Sequence, residues 1–155
     1  MLTQAILAAS LFAPGAGPPA PQSGFDPSRC PIEVQLRALS SVTSAGHTWK
    51  TLHFHFHEFG QCDAGALADG YSVDVVTLLA REWKLIDELA SFVRADPPFL
   101  PFVLTHIDAT AATENLQEVL RNAWAACPPR HRALCRRIAE RVQSALETQE
   151  LARRR

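Results

Sequence analysis

The sequence predicts an all-α protein, a compact bundle of five or six short helices. Three observations carry that expectation. Apolar residues recur at spacings of three and four along most of the chain after residue 45. No strand-type alternation dominates the same stretch. The proline pairs Pro97-Pro98 and Pro128-Pro129 divide it into lengths that suit helices. With 155 residues, 47% of them hydrophobic, the chain can bury the core of one domain.

The elements follow in order. Trp49, Leu52, Phe56 and Phe59 form one face of a first helix, which Gly60 ends. A tight segment with Gly65 and Gly70 is expected from Cys62 to Tyr71, and Ser72 can cap the next helix. Val76, Leu79, Ala80 and Trp83 make a core-facing stripe, and Ile86, Leu89, Ala90 and Val93 repeat it. These two stripes fit either one bent helix or two helices joined near Trp83. Asp96-Pro97-Pro98 breaks the chain and starts a helix lined by Phe99, Phe102, Val103 and His106. Pro101 fits if it stays within the first turns. Ile107 to Ala112 reads as a turn, with Thr113 as cap and Glu114 placed to complement the dipole. Leu116, Val119, Leu120 and Ala123 give the next buried face, and Leu134, Ile138, Val142 and Leu146 the last.

The ends differ from this body. Residues 1–24 combine a short apolar run with a Pro-, Gly- and Ala-rich stretch, the pattern of a secretory signal peptide or a disordered leader. The positive residues that open a signal peptide are missing, since no Lys or Arg precedes Arg29. The apolar run is too short for a permanent membrane anchor. Residues 25–45 are expected to be a flexible linker, 46–150 the helical domain and 151–155 a basic tail. A formal net charge of −1 provides no global field toward nucleic acid or anionic membrane.

Four cysteines, Cys30, Cys62, Cys127 and Cys135, allow three disulfide pairings. The short CPPRHRALC loop can close between consecutive helices, so Cys127–Cys135 is the preferred bridge. A loop of that length stabilises by somewhat under ~3 kcal/mol in the chain-entropy picture. Cys30 and Cys62 are left as a second pair or as free thiols.

Candidate chemistry is sparse. His53, His55 and His57 would share a face on a strand, but on a helix only His53 and His57 do, with His55 turned away. Two imidazoles near Glu58 make at most a transition-metal patch, and a polar helix face is the commoner meaning. Otherwise no cofactor or metal is called for. Nothing in the sequence places Asp63, Asp69, Asp74 and Asp108 at one cleft, and Asp63, Asp69 and Asp108 read as caps and turn residues. His106 lies two residues before Asp108, yet no Ser or Cys nucleophile stands in a recognisable motif, so no enzyme activity is expected. There is no phosphate-binding glycine loop and no aromatic-basic platform for nucleic acid. Phe54 or Leu100 is expected to be surplus to the core and left for an interface.

Cys62-Asp63-Ala64-Gly65, then Asp69-Gly70-Tyr71-Ser72, then Val75 to Leu79 and Trp83 form one ordered block. Phe102 to Thr110 (FVLTHIDAT), Cys127-Pro128 and Leu134-Cys135 continue it. In order and spacing this pattern resembles the helical immunity proteins that neutralise a type VI secretion peptidoglycan amidase. The resemblance runs from about Trp49 to Ile138. It implies a non-enzymatic periplasmic inhibitor, often dimeric, whose partner is a papain-like Cys/His amidase. The implied mechanism is steric: a loop or helix end enters the amidase cleft. The residues expected to meet the partner are Asp63, Asp69 and Tyr71 on one loop, and Asp108 and Thr110 on the turn to Thr113.

Overall fold

A computed structural model of the protein describes residues 28–44 and 47–155. Among the described residues there are seven α-helices and no strand. They are α1 Ile32–Ser44, α2 Trp49–Phe59, α3 Gly65–Arg81, α4 Ile86–Ala95, α5 Phe99–Thr105, α6 Thr113–Ala125 and α7 Arg132–Arg153. Short 3-10 turns at Gly60–Cys62, Trp83–Leu85 and Pro129–His131 join α2 to α3, α3 to α4 and α6 to α7. The all-α expectation holds, with one helix more than the upper count. The expected leader, residues 1–24, lies outside the described residues.

The extra helix is α1, which occupies most of the stretch expected to be a linker. Its sequence contains no Gly or Pro, and Glu33 sits in its first turn, where a negative charge favours the helix dipole. Ala38 is fully buried, and Val34, Leu39 and Val42 pack against the core. That is helical spacing, so the signal was present in the sequence. A disulfide between Cys30 and Cys62 fastens the start of α1 to the turn after α2. The second disulfide joins Cys127 to Cys135, as expected.

α2 begins where the Thr48 hydroxyl accepts from the Thr51 amide at 3.1 Å. Gly60 ends it. The segment Cys62 to Tyr71 is not a loop. α3 starts at Gly65, whose φ of +54° is a conformation that glycine adopts without penalty. Ser72 therefore lies inside α3 rather than capping it. Gly70 tolerates the close approach of α1, since a Cβ there would lie 3.3 Å from Val42.

α3 is the central helix, with Leu67, Tyr71, Val75, Leu78 and Leu79 all buried. The Trp83 region separates it from α4, which resolves the choice between one bent helix and two. Two carbonyls of the last turn of α3, Leu79 and Ala80, accept from the Asn122 side-chain NH2 at 3.2 and 3.1 Å. A neighbouring helix thus satisfies groups that a helix end leaves unpaired. The short α5 is held by the core, in which Phe99, Leu100, Phe102 and Val103 are buried. Phe102 packs against Phe56 and Tyr71 with ring centroids 5.1 and 5.3 Å apart. Pro101 falls in the first turn of α5, where its missing N–H has no intrahelical role.

α6 and α7 form an antiparallel hairpin. The Cys127–Cys135 bridge closes one end. At the other, the Thr113 hydroxyl donates to Gln149 and accepts from Arg153. Thr113 is thus the first residue of α6, bonded to α7, and not its cap. The expected basic tail is partly helix, since α7 runs to Arg153, and Arg154 pairs with Glu150. No helix among the described residues is long and apolar enough to cross a membrane.

Candidate functional site

The two segments expected to meet a partner lie side by side. Asp63 follows the turn Gly60–Cys62, Asp69 and Ser72 stand on α3, and His106 and Asp108 follow α5. The Ser72 hydroxyl donates to Asp108 Oδ2 at 2.9 Å. Ser72 Oγ also lies 3.2 Å from His106 Nδ1, and His106 Nε2 lies 3.2 Å from Asp63 Oδ2. A hydroxyl has one proton, and here it is directed at Asp108. His106 thus bridges the Ser72 hydroxyl and the Asp63 carboxylate through its two ring nitrogens. Phe102 and Tyr71 flank its ring, with centroids 4.5 and 5.4 Å away.

The composition Ser72, His106, Asp63 is that of a hydrolase triad, but the geometry does not activate the serine. A nucleophilic serine gives its proton to the histidine, whereas Ser72 gives it to Asp108. Ser72 also lies within α3, so its amide is taken up by the helix and cannot serve an oxyanion. The cluster is a clamp joining α3 to the segment after α5.

Asp108 carries the clamp onward. It accepts from the Thr110 amide at 2.7 Å and from the Thr110 hydroxyl at 2.5 Å. Burial raises the pKa of the Asp108 carboxyl, but the bonds from Thr110 and Ser72 outweigh it and hold the group below the ordinary value. Gln149 of α7 donates to the carbonyls of Ala109 and Ala111, at 3.0 and 2.7 Å. The 108–112 turn is thus pinned from two sides.

Two adjoining hollows border this turn. One, of about 490 Å3, is lined among others by Asp69, Val73, Thr77, Thr110 and Asn115. The other, of about 360 Å3, is lined by Asp63, Asp69, Ser72, His106 and Asp108, with Ala68 and Thr105. Asp69 and Ser72 belong to both. Val73, 61% exposed, places a large apolar side chain among the polar groups.

Four of the five residues expected at a partner surface therefore line one concave region. Tyr71 does not, because it is fully buried on the opposite side of α3 from the exposed Val73 and Asp69. Burial, then the carboxylates of Asp63 and Asp74, push its phenol above the ordinary value. Its hydroxyl has no hydrogen-bond partner among the described residues. Asp63 is also more buried than a loop residue would be, with 6% of its side chain exposed. The sequence had read Asp63 and Asp69 as loop acids. The helix that starts at Gly65 turns Tyr71 inward and leaves Asp69 on the surface.

The histidines of α2 divide as a helix requires, with His55 turned away from the other two. His53 and His57 share one face, and the nearby carboxylate is Asp96, not Glu58. His55 is turned into the core, where its Nε2 lies 2.8 Å from the Ser41 hydroxyl of α1. Leu52, His55, Phe56 and Phe59 follow helical spacing, so this burial was readable. Burial lowers the His55 pKa, with Asp74 opposing. Of the two apolar candidates for an interface, Phe54 is exposed and Leu100 is core.

Comparison with family models, with curated proteins and with solved structures finds no match for this chain.

Proposed function

We propose that this chain is an immunity-type binding protein that blocks a type VI secretion peptidoglycan amidase in the periplasm. The observation that carries this reading is the convergence of Asp69 and Thr110, from separate segments, on one concave and rigidly held surface. An inhibitor that is ordered before it binds loses little affinity to the cost of ordering. The 108–112 turn meets that need through Asp108, Thr110 and Gln149. Asp69 provides an exposed negative charge that would speed capture of a basic toxin surface. The order and spacing of the motifs from Cys62 to Asp108 supply the partner class. Two disulfides suit an oxidising compartment such as the periplasm. In this reading the protein is no enzyme: the Ser72 hydroxyl is bonded to Asp108 and serves structure.

The test is capture of the full chain by a Cys/His amidase encoded beside it, with peptidoglycan cleavage followed in parallel. Binding with loss of cleavage is expected. The informative variant is Asp69→Lys with Val73→Lys, because both residues line the groove, both are exposed and neither belongs to the clamp. It should weaken binding at least about tenfold without changing the circular dichroism spectrum. Asp108 is a poor choice for this purpose, since its carboxylate holds Ser72 and Thr110. Unchanged affinity in the folded double variant would remove the groove from the interface. Uninhibited cleavage by the amidase would sink the reading as a whole.

A further inference from the structure

Independently of the partner, we propose that His53, His57 and Asp96 form a three-ligand site for a zinc-class divalent transition-metal ion. His53 and His57 are one helical turn apart on α2, so their rings project from one face. Asp96 comes from the C-cap of α4, just before the proline pair. His53 Nε2 and His57 Nε2 each lie 2.9 Å from Asp96 Oδ2 and 3.3 Å from one another.

Protons cannot satisfy all three edges of that triangle. An imidazole nitrogen has one in-plane position, filled by either an N–H or a lone pair. If both nitrogens donate to Asp96 Oδ2, two N–H groups are left side by side. If one nitrogen is a lone pair, it faces a carboxylate oxygen. A single cation satisfies all three atoms together. Tetrahedral zinc with bonds of about 2.0–2.1 Å has ligand–ligand edges of about 3.3–3.4 Å. The His53–His57 edge of 3.3 Å matches this, and the two edges to Asp96, 2.9 Å each, are about 0.4 Å shorter. An ion about 2 Å from all three atoms would sit about 1 Å outside their plane.

The surroundings favour the geometry. Phe92 stacks on the His53 ring at 4.7 Å, and Phe99 meets it edge-on at 4.9 Å, which fixes the ring. His57 is 42% exposed, so the ion can be reached and a fourth position is left to solvent. Two imidazoles and a carboxylate suit zinc, and this donor set is wrong for calcium or magnesium. Among the described residues, no other group of three such side chains converges. His47–Asp74 and His131–Asp87 are pairs only. The four cysteines are held in disulfides and do not compete. A bound ion would tie α2 to the α4–α5 break.

The test is calorimetric titration of zinc chloride into the full chain, without a polyhistidine tag and after chelator treatment. One ion per chain and a rise in Tm with zinc concentration are expected. Cobalt(II) should give the intense visible bands of low coordination. His57→Ala and Asp96→Asn should each weaken binding at least about tenfold, and His131→Ala should leave it unchanged. His57→Gln is a second variant in case removal of the ring disturbs α2. No binding at about 100 μM zinc would overturn the proposal. So would binding that survives the folded Asp96→Asn and His57 variants.

Discussion

Removing the Cys30–Cys62 bridge should destabilise the protein more than removing Cys127–Cys135. The two cysteines of the first bridge are 32 residues apart in sequence, and those of the second 8. The chain-entropy relation assigns about 3.7 kcal/mol to the longer loop and about 2.5 kcal/mol to the shorter. The gap of about 1.2 kcal/mol is resolvable by urea denaturation. Both figures are a sizeable fraction of the roughly 5–15 kcal/mol that holds a typical domain together. The structure adds a local consequence. Without the bridge, α1 keeps the packing of Ala38, Leu39 and Val42 and the Ser41–His55 contact. That is a small interface for thirteen residues, so α1 should open before the rest. The experiment compares Cys30→Ala with Cys62→Ala against Cys127→Ala with Cys135→Ala, by urea unfolding and by amide hydrogen exchange. Faster exchange in α1 should accompany the first pair only. An equal or larger cost for the second pair, with α1 amides still protected in the first, would refute the reasoning.

Three further outcomes can be checked on the same footing. Stability should fall as pH drops below 6.5, partly through His55. Its folded pKa is lowered by burial, so below its unfolded value of 6.5 the unfolded chain holds an extra proton. The loss is at most about 1.4 kcal/mol per pH unit from this group. His55→Gln should flatten urea stability between pH 7.5 and 5.5, and identical profiles would count against it. Asp108→Ala should cost about 2 kcal/mol at pH 7 through the bonds from Ser72 and Thr110. Asp108 has a lowered folded pKa, so its contribution is present above 3.8 and lost as pH falls through the folded value. A difference between wild type and variant that persists undiminished into strong acid would contradict this assignment. Gly65→Ala should cost about 1 kcal/mol from the positive φ alone, because a Cβ there meets nothing within 4 Å. A neutral result in urea would mean that α3 starts differently.

The periodic elements were legible because a helix writes its buried face into the local sequence. α2, α4, α5, α6 and α7 follow from apolar spacing and from the two proline pairs. α1 and the inward turn of His55 carried the same signal. The linker-like position of the first and the polar type of the second hid them. The start of α3 was obscured by Gly65 and Gly70. One supplies the positive φ that opens the helix, and the other lets Val42 approach. The closure of Cys127–Cys135 was readable because its loop is short. Tertiary structure alone decided what comes together across long separations. Asp63 meets His106 across 43 residues, Ser72 meets Asp108 across 36, and Asp96 meets His53 across 43. Local pattern fixes which face of a helix seeks the core, since backbone geometry repeats every few residues. Which polar groups then share a site depends on how separate helices pack, and no local spacing encodes that.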